Sequence, residues 1–194
     1  MSQNSTLNLR KTVYTSLFTA LIIIGGYLSF PIPFSPVPVV LSDFFVMLAG
    51  LFLGATGGCA SVALFVFLGI LGLPVFAGGK AGLAVLMGPT GGFLIGFLIA
   101  SFVIGFIAGK GKSSLLRDSI ALLTGNVIIY GIGISGLKLV LKATWAKAAA
   151  LAFFPFIAGA VVKIIAAVIL ARVLRPMLKL SFSGSIETAS ATKE

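Results

Sequence analysis

Read from the N-terminus, the chain sets long uncharged apolar runs between short stretches rich in Gly, Pro, Lys and Arg. From Thr12 to Gly79 the only charged residue is Asp43. A membrane-crossing helix takes about 20 residues, so these 68 residues hold about three spans. The breaks fall at Phe30-Pro31-Ile32-Pro33-Phe34-Ser35-Pro36 and at Gly54-Ala55-Thr56-Gly57-Gly58. Proline removes a backbone donor and fixes φ, and glycine lets the chain reverse. The pattern predicts span 1 at 12–30, span 2 at 38–54 and span 3 at 59–73, closed by Pro74. Met1 to Asn8 is polar and reads as a mobile lead-in.

Val75 to Gly92 is too apolar for a solvated loop and too glycine-rich for a span. It reads as a long loop folded back over the bundle. Irregular backbone survives at membrane depth only when buried in protein or lining a cavity, so this segment is the first pointer to a site. Span 4 follows at 89–108 with Pro89 in its first turn, then a charged turn from Gly109 to Asp118, then span 5 at 119–137. Lys138 to Phe154 carries Lys138, Lys142, Trp145 and Lys147, the pattern of an interfacial segment anchored by its tryptophan. Pro155 opens span 6, which ends near Arg172 and Arg175, and the polar segment after Leu180 reads as a short tail.

Composition agrees with this reading. The hydrophobic share is 59% and the charged share 9%, against about 45–50% and 25% in soluble domains. With a mean hydropathy of +1.19, a soluble enzyme and a disordered tail are excluded, and the fold class is an all-α integral membrane protein. Arg10 and Lys11 resemble the start of a signal peptide. The uncharged run Thr12 to Phe30 has 19 residues and no A-x-A site follows, so it reads as a retained span. The bases behind the formal charge of +10 sit mostly between apolar runs and form no patch interleaved with exposed aromatics, so no nucleic-acid partner is implied. Six spans place both termini on one side. Arg10, Lys11, Lys110, Lys112, Arg117, Arg172, Arg175, Lys179 and Lys193 then share that side, nine against the four of Lys80, Lys138, Lys142 and Lys147. This sets both termini in the cytoplasm. The three lysines of the fifth connection run against the rule.

Candidate chemistry is sparse. The chain has no His and one cysteine, Cys59, which removes His-based catalysis, His metal sites and an intramolecular disulfide; no catalytic group and no metal site are expected. Gly111-Lys112-Ser113 invites a phosphate-loop reading, but Phe106 stands where that motif needs glycine. Lys163 lies about eight residues into span 6. At 1.5 Å per residue that is about 12 Å deep, where a lysine either needs a partner or a wet cavity or snorkels to the interface. Asp43 could pair with Lys163 or Lys80, accept hydrogen bonds from a ligand, or face the headgroups as a helix N-terminal acid. Asn126 and Tyr130 share a face of span 5; they could meet a neutral polar ligand or bond to a neighbouring helix. Phe76 could stack on a ligand ring, and the backbone amides near Thr90 at the start of span 4 could bind an oxygen. Ser16 and Ala20 form a small-xxx-small face suited to packing in the bundle or to docking another subunit.

Four motifs stand in order: Ser35-Pro36-Val37-Pro38, Gly72-Leu73-Pro74-Val75-Phe76-Ala77-Gly78-Gly79, Gly88-Pro89-Thr90-Gly91-Gly92-Phe93-Leu94, and Phe156-Ile157-Ala158-Gly159 through Lys163. With them the chain resembles, over about residues 12–175, the BioY family, the biotin-binding substrate-specificity (S) components of energy-coupling factor (ECF) transporters. The resemblance implies a six-transmembrane-helix S-component fold in a bacterial-type plasma membrane. Biotin would be the ligand, held near the outer face under the first and third connections. The implied partners are a membrane-embedded coupling subunit and two cytoplasmic ATPases, with no cofactor and no enzymatic activity of the chain's own. It also implies a docking role for Ser16 and Ala20. On this reading residues 1–11 are a polar cytoplasmic N-terminus, 12–176 the membrane domain and 177–194 a cytoplasmic tail. Two positions depart from the family pattern: Ala160 stands where an Asp usually precedes the lysine, and Ser42 where Gln is usual. Either Asp43 or Asn126 supplies the missing acceptor, or binding is weaker, or the ligand differs. For biotin, the expected contacts are an acceptor from Asp43 or Asn126, the Thr90 region, a wall of Phe76 with Tyr130, and a cation from Lys80 or Lys163. The competing class, an autonomous secondary transporter of a small carboxylate-bearing solute, would want inverted repeats or several intramembrane acids.

Overall fold

The computed structural model describes the backbone of residues 3–109 and 114–191, and side chains over 9–109 and 114–174. Lys110, Lys112, Lys193 and the Gly111-Lys112-Ser113 turn lie outside the described residues, as do the side chains of Arg175 and Lys179. Helix α1 (Gln3–Tyr27) leads into a hairpin of β1 (Ser29–Ile32) and β2 (Ser35–Val40), followed by α2 (Ser42–Ile70). A 3-10 turn (Ala77–Gly79) and the short α3 (Leu83–Met87) come next, then α4 (Gly91–Ala108), α5 (Leu115–Leu141), α6 (Trp145–Ala152) and α7 (Ile157–Ala191). Among the described residues, α2, α4, α5 and the 157–174 part of α7 are long and apolar enough to cross a membrane.

The helices run past the ends that hydropathy marks. The first begins at Gln3 rather than Thr12, α5 covers 115–141 rather than 119–137, and α7 continues through the expected tail to Ala191. Hydropathy reports where the hydrocarbon ends, whereas backbone hydrogen bonding can carry a helix on into water. Span 1 ends at Tyr27 and span 2 begins at Ser42 because the proline-rich break between them is not a plain loop. It is an antiparallel hairpin pairing Ser29 with Val40, Phe30 with Val39 and Ile32 with Ser35, irregular between Phe30 and Ile32. Pro31 has no N–H for the ladder, and proline's fixed φ suits exposed edge strands. The all-α expectation is corrected to this extent. Pro89 sits two residues before α4 rather than inside its first turn.

Spans 2 and 3 appear as the two arms of α2, which doubles back at Gly54 (φ 75°, ψ −174°). That backbone conformation is strained for any residue with a Cβ. The arms close tightly: a Cβ on Gly58 would stand 2.7 Å from the Gly50 Cα. The Thr19 hydroxyl donates to Ser61 O at 3.0 Å and the Ser42 hydroxyl to Ile22 O at 2.9 Å, tying α1 to both arms.

Two apolar clusters share the interior. One gathers Met47, Leu51, Ile104, Leu122 and the small residues Ala108, Ala121, Ala167 and Ala171. The other gathers Val37, Phe65, Phe76, Phe93, Phe97, Ile129 and Phe156 beneath the hairpin and the glycine-rich loop. The second cluster surrounds a hollow.

Candidate functional site

The loop from Val75 to Gly92 does fold back over the bundle, and Phe76 is its anchor. Phe76 is 1% exposed, edge-on to Phe65 at 5.4 Å between ring centres. Gly69 makes room for it, since a Cβ there would run into the Phe76 ring. The Phe76 N–H donates to Lys80 O at 3.0 Å and the Gly79 N–H to Phe76 O at 2.9 Å, closing the turn. The Gly82 N–H donates to Gly69 O at 2.7 Å and fastens the loop to α2. The Tyr27 hydroxyl donates to Pro74 O, holding the loop to α1.

Under this loop and the hairpin lies a cavity of about 70 Å³, or about 750 Å³ of unfilled space once its open mouth is included. Its roof comes from Val37, Pro38 and Val40 on β2 and from Phe76, Ala77 and Lys80 in the loop; Phe65, Phe93, Phe97, Tyr130 and Phe156 supply an aromatic wall. Tyr130 stands edge-on to Phe93 at 6.4 Å and to Phe153 at 5.9 Å. Such geometry favours aromatic pairs beyond their buried area. An apolar hollow with a few converging polar groups is the usual form of a small-molecule site.

The polar groups converge on Lys163. Its ammonium donates to both Asp43 oxygens, at 2.8 and 2.9 Å, and to Val40 O at 2.7 Å. The pair is partly buried, with side chains 14% and 12% exposed. Asp43 Oδ1 also accepts the Phe44 N–H at 2.9 Å, so the acid sits at the start of α2 and serves as the lysine's partner at once. A lysine has three donor hydrogens, and three contacts engage them. The ion pair joins α7 to α2 and reaches the end of β2 through the Val40 carbonyl.

Six of the seven residues expected at a ligand line this cavity: Asp43, Phe76, Lys80, Thr90, Tyr130 and Lys163. Lys80 is exposed. Thr90 holds the N-cap position of α4 with no side-chain capping bond, and its carbonyl accepts the Phe93 N–H at 3.1 Å. Asn126 is not brought in. It is buried against α2, where its amide donates to Met47 Sδ at 3.8 Å. Between the two possibilities open for Asn126, the structure has the interhelical bond, because α5 turns that residue toward the tightly packed cluster. Ser16 and Ala20 are both exposed on α1, so the bundle does not use that face. Phe65, Phe97 and Ile129 were not legible as lining residues. They stand in apolar stretches outside the four family motifs, whereas Phe93 and Phe156 fall within them.

A family model described as "BioY family" matches residues 1–180. The chain belongs to the BioY family. It is 40% identical over 169 residues to a Thermotoga maritima protein described as "Biotin transporter BioY", covering 87% of this chain and 98% of the relative. It is 42% identical over 160 residues to a "Probable biotin transporter BioY" from Pyrococcus horikoshii, covering 82% and 93%. Among solved structures, it is similar to one described as the "S-component for biotin from an ECF-type ABC transporter". That match has a TM-score of 0.83 and 34% identity and covers 91% of this chain and 95% of that one. The chain is thus a mostly helical membrane protein of S-component architecture, in a family of transporters rather than enzymes. Of the family-pattern departures, Ser42 now has a role, its hydroxyl bonding Ile22 O. Ala160 is buried on α7 one turn before Lys163, and the carboxylate that meets the lysine comes from α2 instead.

Proposed function

We propose that the protein is the high-affinity biotin-binding subunit of a vitamin uptake transporter and presents biotin to an ATP-driven coupling module. The observation that carries this is the Asp43–Lys163 ion pair set in the wall of a half-open aromatic pocket. Biotin offers two ureido N–H donors and a carbonyl, an apolar thioether ring and a carboxylate tail. With the Lys163 donors already engaged by Asp43 and Val40, the polar floor of the pocket presents remaining carboxylate lone pairs, which suit the ureido N–H groups. The aromatic wall takes the thioether ring, Thr90 adds a hydroxyl, and Lys80 at the exposed side takes the carboxylate. Nanomolar binding corresponds to about −12 kcal/mol, or about −0.75 kcal/mol for each of biotin's ~16 heavy atoms, inside the efficiency ceiling.

In this reading six rods cross the membrane: α1, the two arms of α2, α4, α5 and α7. The doubling-back at Gly54 supports the count. Both termini face the cytoplasm, residues 1–11 and 177–194 flank a membrane domain at 12–176, and the protein resides in the cell membrane. The exposed Ser16–Ala20 face of α1 docks a transmembrane coupling subunit, which works with two cytoplasmic ATPases. The loaded subunit is tipped by that partner so that the pocket opens inward. Uptake assays with and without the ATPase module test this step, and full accumulation by the chain alone would defeat it. Calorimetry tests the site: Lys163→Ala weakens biotin binding at least tenfold, about 1.4 kcal/mol, because it strands the Asp43 charge. Unchanged affinity would remove Lys163 from the site.

A further inference from the structure

Lys138, Lys142 and Lys147 run against the expected distribution of positive charge, and the binding reading above leaves them without work. All three lie where α5 hands over to α6. Lys138 is in the last turn of α5, Lys142 holds its left-handed C-cap (φ 49°), and Lys147 is in the first turn of α6, its N–H bonded to the Thr144 hydroxyl. Lys142 and Lys147 are exposed, and the Lys138 ammonium stands 4.8 Å from the centre of the Trp145 ring. Such contact holds a cation in place without neutralising it.

This corner adjoins the pocket on two sides. Helix α6 packs against β2, whose Val37, Pro38 and Val40 form the pocket roof. On α5, Lys138 lies two turns beyond the lining residue Tyr130, about 12 Å at 1.5 Å per residue. Lys80, on the pocket lining, is a fourth cation at the same end. Among the described residues, Asp43 is the one carboxylate at this end, and it is held by Lys163; Asp118 lies at the opposite end of α5. This end of the molecule, where the pocket lies, therefore carries four positive charges and, among the described residues, no exposed carboxylate.

We propose that this lysine corner is an electrostatic collector for an anionic ligand. It speeds the approach of a carboxylate-bearing molecule to the pocket mouth and makes no contact with it once bound. The inference rests on the reading of the pocket as a biotin site, since biotin's tail ends in a carboxylate. Charges that steer act on the association rate, whereas charges that touch act on dissociation. Their reach follows the Debye length, about 8 Å at 0.15 M salt and about 30 Å at 0.01 M.

The test measures association and dissociation rates of biotin and of uncharged biotinamide, on the full chain in zwitterionic phosphatidylcholine nanodiscs across ionic strength. The K142Q/K147Q variant keeps the Lys138–Trp145 contact. It takes up biotin about threefold more slowly at ~10 mM ionic strength, and K142E/K147E about tenfold more slowly, with both differences gone by ~0.5 M. Biotinamide rates stay equal in all three proteins, which also shows that the variants are folded. Biotin rates insensitive to salt, a slowing shared by biotinamide, or an effect confined to dissociation would each overturn the collector. Wild-type protein that binds both ligands at salt-independent rates defeats the collector alone. Wild-type protein that binds neither defeats the pocket assignment and the collector together.

Discussion

Around Met47, Ile104 and Leu122 the helices close on one another until all three side chains are 0% exposed. Around Phe65, Phe93 and Phe97 the same helices stand apart and enclose a cavity of about 70 Å³. Both regions are built on α2, α4, α5 and α7 from largely apolar residues, so apolarity does not separate them. Residue size and shape do. In the closed region the contact positions are small: a Cβ on Gly50 would stand 2.6 Å from Ser101 O, and Gly105 lies against the Gly54–Ala55 backbone. In lipid there is no hydrophobic drive between helices, so close backbone approach supplies the packing. In the open region large flat rings meet edge-on, and with β2 and the loop they line the cavity.

Substitutions can collapse this contrast or sharpen it. The largest effect falls on the closed region. Gly105→Val drives a branched side chain into the backbone of the α2 bend, and a clash with backbone is not relieved by a rotamer change. We expect about 3 kcal/mol or more of destabilisation, read as loss of folded protein in thermal unfolding; a tolerated valine would show that the two helices are not locked there.

Next comes the ion pair at the open region's floor. Asp43→Asn leaves the Lys163 ammonium partly buried beside a neutral amide, and costs about 2 kcal/mol of stability with at least a tenfold loss of biotin affinity by calorimetry. Ala160→Asp on that background puts a carboxylate one helical turn before Lys163 and restores part of both. No recovery would mean that the acid must lie on α2, where it also ties the two helices together.

Gly69→Ala acts on the cavity without touching a polar group. The added methyl displaces the Phe76 ring from its seat. We expect about a tenfold loss in affinity, about 1.4 kcal/mol, with a melting shift of only about 2–4 °C. Equal losses in affinity and stability would instead place Phe76 in the structural core. The smallest effect is expected from Asn126→Ala, which removes the amide from Met47. It should cost about 1 kcal/mol of stability and change biotin affinity by less than about twofold, and a larger affinity loss would return Asn126 to the site.

Much of the fold could be read along the chain. The break at Gly54–Gly58 and the folded-back loop at Val75–Gly92 follow from where Gly and Pro interrupt apolar runs. Helix ends could not be read the same way, because polarity marks the membrane boundary and a helix can continue past it, as α1 and α5 do. The hairpin was hidden by its prolines, which read as breaks in a hydropathy pattern and yet fit an exposed strand.

What the sequence alone determined is the class of molecule, the order of its apolar segments, the family and a lysine set inside an apolar run. Only the tertiary structure decided which acceptor meets that lysine, that Asn126 turns to Met47, and which phenylalanines wall the hollow. The reason lies in the helices themselves. A uniformly apolar helix has no polar face, so its sequence carries no record of which side turns inward. The Lys163–Asp43 contact joins residues 120 positions apart, a pairing that local spacing cannot encode and that packing of whole helices must settle.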